Sequence, residues 1–165
     1  MKPPLRKSPT LITSFELAEI VGADQETINN WIRRGMISRA AIGGRQLRAR
    51  LFSTEEVYKA VITNDLVRLG IQPSSASEAA NAIWKEWEGK VAPEGRKLYA
   101  LVLPRKEGWT VELCSRKASG GPLYRWGRTG GKPTGEVELP KRAFAVLPIS
   151  DILGRVSDKF SKLLE

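Results

Sequence analysis

The sequence predicts an α+β chain in which helices come first and a small antiparallel β-sheet with a closing C-terminal helix comes second. Three observations carry this. Apolar residues recur at helical spacing from Leu17 to about Leu69. From Lys97 to Ile149 they alternate in short stretches punctuated by Gly and Pro. After Ser150, a helical stripe returns in Ile152, Leu153, Val156, Phe160, Leu163 and Leu164. The change of period falls in Gly89 to Gly95, which holds glycine, proline and lysine and is the expected boundary between halves.

The helical half is read in order. Residues 1–9 are expected to form a flexible N-terminal arm. Thr13 is a good N-cap and Glu16 stands three positions later, the reciprocal pair that satisfies two orphan amides at a helix start. Leu17, Ile20 and Val21 then follow at helical spacing, and Gly22 can adopt the left-handed conformation that stops a helix. Asp24 caps a second helix with Ile28, Trp31 and Ile32 as its buried stripe, while Gln25, Glu26, Asn29, Asn30, Arg33 and Arg34 point elsewhere, and Gly35 ends it. A turn this tight predicts a steep crossing, which leaves the second helix's polar face prominent and suited to a groove roughly 12 Å wide.

Between Thr27 and Thr54 there is no Asp or Glu, whereas Arg33, Arg34, Arg39, Arg45, Arg48 and Arg50 all fall in that window. Such a run attracts phosphate. The Gly43-Gly44 pair permits positive backbone angles, and Leu47, Ala49 and Leu51 alternate with Gln46, Arg48 and Arg50, so a hairpin or wing is expected here. Its arginines would hold backbone or enter a minor groove.

Thr13-x-x-Glu16-Leu17-Ala18, Gly22-x-Asp24-x-x-Thr27-Ile28-x-x-Trp31-Ile32-x-x-Gly35, Gly43-Gly44-Arg45 and Phe52-Ser53-x-Glu55-Glu56-Val57 together resemble the winged helix-turn-helix domain of the MerR superfamily, including its excisionase-like branch. The resemblance spans Thr13 to about Leu66, roughly a third of the chain, and implies a DNA-binding module at residues 10–70 with the second helix in the major groove. Asn29-Asn30-Trp31 stands where MerR activators usually have Arg-Tyr-Tyr, and the tryptophan is closer to the excisionase-like branch. The expected DNA-contacting residues are Gln25, Thr27, Asn29, Asn30, Arg33, Arg34, Arg39, Arg45, Arg48 and Arg50. Asparagine pairs bidentately with adenine, so an A·T-containing site is expected.

The 165 residues, 41% hydrophobic and 27% charged, suffice for one or two small domains, and the net charge of +9 favours a polyanionic partner. No apolar run approaches the roughly 20 residues that span a bilayer, and Met1 to Lys7 lacks the apolar core of an export signal, so a cytoplasmic protein with no membrane partner is expected. Cys114 is the single cysteine and sits in an alternating stretch, which favours packing over redox chemistry. Histidine is absent, which removes the usual general base and the commonest metal ligand; no enzyme, no catalytic residue, no metal site and no cofactor are expected. Glu86, Glu88, Glu136 and Glu138 read as scattered solvent-facing charge. Gly130-Gly131-Lys132 lacks the spacing and the Ser or Thr of a phosphate loop and reads as a turn.

Past the wing, Ser53-Thr54-Glu55-Glu56 opens a third helix carrying Val57, Val61, Leu66 and Leu69, with Gly70 as its stop. Gln72 to Ser75 reads as a turn. Ser75 with Glu78 then opens a connecting helix through Trp87, so that residues 71–95 form a connecting helix and linker. Trp84 and Trp87 are expected to fill core against the following sheet. Strands are expected at Lys97 to Leu103, Trp109 to Cys114, Leu123 to Arg128, Gly135 to Leu139 and Ala143 to Ile149, and Ser150 caps the closing helix. Residues 96–165 therefore make a small α+β domain, open to homodimerisation through its last helix or to sensing an effector or protein partner. Arg96 through Arg142 carries eleven basic against four acidic residues, and Tyr124-Arg125-Trp126 has the composition of a stacking surface. Three functions follow as expectations: a sequence-specific double-stranded DNA-binding regulator, an excisionase-like architectural or phage-packaging protein that coats DNA, and an RNA-binding module built on the basic sheet.

Overall fold

The computed structural model describes residues 11–42, 45–46, 51–87, 90, 94–106, 108–126, 133–137 and 145–163. The expected N-terminal arm, Gly43-Gly44, Arg48, Arg50, Glu88, Gly130-Gly131-Lys132 and Glu138 lie outside these residues. The chain is mixed α and β, with antiparallel sheets, and divides into two compact units, residues 1–61 and 62–165.

In the first unit, β1 (Ile12–Thr13) leads into α1 (Ser14–Val21). The capping box forms as the spacing predicts: the Thr13 amide donates to Glu16 Oε2 at 2.7 Å, and the Glu16 amide donates to Thr13 Oγ1 at 3.3 Å. Gly22 ends the helix with φ 73°, a left-handed angle a side chain would strain. Helix α2 (Gln25–Arg33) follows, capped by Asp24. Beyond it, β2 (Ala41–Ile42) and β3 (Arg45–Gln46) pair antiparallel, and β4 (Leu51–Phe52) pairs with β1. Leu51 thus belongs to the β1 ladder rather than to the alternating arm of the wing. The pairing closes a loop of about forty residues, and residues so distant in sequence leave no local signal for so short a strand. Leu17, Ile28, Phe52 and Val57 are all fully buried in this unit. Each such side chain contributes roughly 1.5–3 kcal/mol of apolar burial.

Helix α3 (Thr54–Arg68) starts in the first unit and finishes in the second. Its Val57, Val61 and Leu66 are buried as predicted, but Leu69 is 60% exposed, because the helix has already ended at Arg68. Helix α4 (Pro73–Trp87) begins two residues before the expected Ser75. Proline at the first helical position is favoured, since its missing amide would have been an orphan there. Ser75 is therefore inside the helix, not at its cap. Trp84 and Trp87 are half-buried and meet edge to face, with centroids 4.9 Å apart.

A five-stranded antiparallel sheet follows, made of β5 (Arg96–Pro104), β6 (Trp109–Lys117), β7 (Tyr124–Trp126), β8 (Pro133–Glu136) and β9 (Ala145–Leu147) in the order β8-β7-β6-β5-β9. The expected strands are all present, with different ends: β5 and β6 run longer, and β9 stops at Leu147, before the expected Ile149. Helix α4 packs on β6, and its small Ala76, Ala79 and Ala80 are buried together with Ile83, so it belongs to the sheet unit and is more than a connector. Closing helix α5 (Ile149–Leu163) lies against β5, with Ile149, Ile152 and Val156 buried. Ser150 is not its cap: the helix starts one residue earlier, and Ser150 Oγ accepts from the Leu98 amide at 2.8 Å. Leu101, Cys114 and Val137 form a further small cluster, flanked by Tyr99, Leu103, Leu123 and Val146.

Candidate nucleic-acid interface

The outward face of α2 follows from which side is buried. Ile28 and Trp31 point into the core, at 0% and 4% exposure. At 3.6 residues per turn the positions diametrically opposite are Glu26 and Arg33, a heptad apart and so within about 20° of one another, with Asn29 and Asn30 on either flank. Glu26 and Arg33 are exposed and the two asparagines are half-buried. Ile32 departs from the expected stripe: it is only half-buried, and it lines an open concavity of about 800 Å³ with Gln25, Glu26, Asn29, Arg33 and Arg39.

Local bonds fix the ends of this face. At the N-terminus the Thr27 amide donates to Asp24 Oδ1 at 2.7 Å and its hydroxyl donates to Asp24 Oδ2 at 3.0 Å. These two bonds, the backbone one foremost, hold the Asp24 carboxyl below its ordinary pKa. The Thr27 hydroxyl is thereby committed to the cap. At the other end Arg33 Nη2 donates to Asn30 Oδ1, which draws the guanidinium along the helix. The Arg34 amide donates to the Asn30 carbonyl at 3.0 Å, and Gly35 turns the chain away with φ 71°.

The backbone just before Arg39 is anchored by a bond from outside the helix. Glu56 Oε2, in the first turn of α3, accepts from the Ser38 amide at 2.8 Å, while Glu56 Oε1 accepts from Lys59 at 3.1 Å. The Ala40 amide also donates to the Leu51 carbonyl at 2.7 Å, so the chain enters the β2–β3 hairpin from an anchored position.

Of the sequence-predicted residues, Gln25, Asn29, Arg33 and Arg39 share the concavity, while Asn30 adjoins it through Arg33. Arg34 is exposed just past the helix, and Arg45 lies in β3. Among the described residues of the concavity, Glu26 and Ile32 are the two that the sequence did not single out as contacts. The heptad spacing of Glu26 from Arg33 was the available signal for the first. Nothing local marked Ile32, because its period alone fits a core stripe. Gln25 Oε1 is buried with no hydrogen-bond partner among the described residues.

The basic aromatic segment of the sheet is arranged differently from a free stacking surface. The Arg96 guanidinium sits over the Tyr124 ring, 5.4 Å from its centroid, and also donates to Ser115 Oγ at 3.0 Å. Arg125 pairs with Glu112 at 3.3 Å. Among the described residues no group of His, Cys, Asp or Glu could hold a metal ion, and no helix is long and apolar enough to cross a membrane. No family model matches the chain, and comparison with curated proteins finds no relative.

Proposed function

We propose that the chain is a sequence-specific double-stranded DNA-binding protein acting as a transcriptional regulator, with α2 as the reading helix and the β2–β3 hairpin beside it on the backbone. The MerR-superfamily resemblance of residues 13–66 is part of this reading. The observation that carries it is the convergence of Gln25, Asn29, Arg33 and Arg39 on one outward concavity at the face of α2. Amide side chains pair with adenine in the major groove and guanidinium groups hold phosphate or guanine. The half-exposed Ile32 supplies an apolar contact of the kind a thymine methyl accepts. A homodimer would join two such faces on two half-sites.

The RNA-binding alternative is disfavoured by the partners already taken in the sheet, since Arg96 covers Tyr124 and Glu112 engages Arg125. Titration of the full chain with a pool of random duplexes and with single-stranded RNA, at matched low salt, tests the proposal. Duplex binding that is tighter than RNA binding and falls with salt supports it. Tighter binding to RNA, or no duplex binding at all, overturns it. Footprinting then separates a regulator, which protects one compact site, from a coating protein, whose protection spreads.

A further inference from the structure

We infer that Glu26 is a specificity-determining residue of this face, and that it selects a cytosine by accepting a hydrogen bond from the exocyclic N4 amine in the major groove. The inference rests on the DNA-binding reading above.

Glu26 and Arg33 stand at the crest of α2, directly opposite the buried Ile28 and Trp31, and both are exposed. A duplex that meets this face therefore meets a carboxylate before it meets the half-buried Asn29 or Asn30. Glu26 lines the same concavity as Arg33 and Arg39 but makes no ion pair with either. A carboxylate against a phosphate is repelled. The bases offer it donors instead, and in the major groove cytosine presents its N4 amine and no acceptor beside it, whereas guanine presents only acceptors there and adenine couples its amine to one.

For a helix laid along the major groove, the spacing sets where the cytosine lies. Seven residues at a rise of about 1.5 Å put Glu26 roughly 10 Å along the axis from Arg33, close to three base-pair steps. Asn29 falls between them. The preferred site thus contains a cytosine about three steps from the base pair or phosphate that Arg33 contacts, with the A·T pair read by Asn29 inside that interval.

Glu26 also sits in the first turn of its helix, where a negative charge is favourable against the helix dipole. That role alone would affect stability and leave base preference untouched. The test is selection from randomised duplexes with the wild-type chain, Glu26→Gln and Glu26→Ala, with thermal melts to confirm that each is folded. The wild type is expected to enrich cytosine at one position. Both variants are expected to lose that enrichment, discriminating about tenfold less there, while their affinity for the random pool rises. A wild-type motif that both variants keep unchanged overturns the inference while leaving DNA binding intact. A wild type that binds no duplex at low salt removes the DNA-binding reading itself, and the inference falls with it.

Discussion

The hydrogen bond from Arg33 to Asn30 Oδ1 couples two side chains that the bare sequence offers as independent contacts. With its carbonyl oxygen occupied by Arg33, Asn30 is expected to act in the proposed complex by positioning that guanidinium, whereas Asn29 is expected to contribute to base preference. Arg33→Ala is expected to weaken binding to every duplex and lower the salt slope by about one, and Asn30→Ala should reproduce part of that loss. In a double-mutant cycle the two losses should not add, whereas additive losses measured by fluorescence anisotropy would show that the residues act separately. Asn29→Ala should leave the salt slope alone and relax base preference by roughly 1–3 kcal/mol. The asparagines were legible from their spacing, but the bond between Asn30 and Arg33 was not, because a three-residue separation permits it without requiring it.

At the scale of the helix, the caps were the most legible feature. Thr13 with Glu16 and Asp24 with Thr27 bond within one turn, so nothing distant has to be known. Thr13→Ala should destabilise the chain by about 1 kcal/mol in a thermal melt. Both acids titrate below their ordinary values: the Thr13 hydroxyl foremost lowers Glu16, and the Thr27 amide foremost lowers Asp24. Their contribution is fully present above the unfolded-state pKa and is lost as pH falls through the lower folded value. Stability should therefore decline as the pH drops from about 4 toward 2, and Thr13→Ala should flatten that decline. Strands with distant partners were harder to read. β1 and β4 have two residues each and exist through one another, and Ser150 was misread as a cap because its hydroxyl serves the Leu98 amide in the neighbouring strand.

In the molecule as a whole, α3 belongs to both units: Val57 and Val61 lie in the first core, and Leu66 lies in the second. Unfolding either unit strips packing from this continuous helix. Urea unfolding followed by hydrogen exchange is expected to give coincident midpoints for α1–α2 and for the sheet, and separated midpoints would show that the helix does not couple them. Ile152→Ala, which removes a fully buried side chain from the face of α5 packed on the sheet unit, should cost about 2–5 kcal/mol by denaturant titration. Burial pushes the Cys114 thiol up to about 11, so at neutral pH it should resist alkylation in the native chain and react once the chain is unfolded.

The sequence by itself determined the α+β character, the five helices, the strands of the larger sheet and the candidate reading helix, because periodicity, caps and turn residues act over a few neighbouring positions. The tertiary structure decided what depends on contacts between distant positions: the pairing of β1 with β4, the assignment of α4 to the sheet unit, the hold of Glu56 on Ser38, and the half-burial of Ile32 in the concavity it shares with Glu26. A local pattern can say that a face is polar or apolar. Which face remains outward is settled only when the rest of the chain has covered the other side.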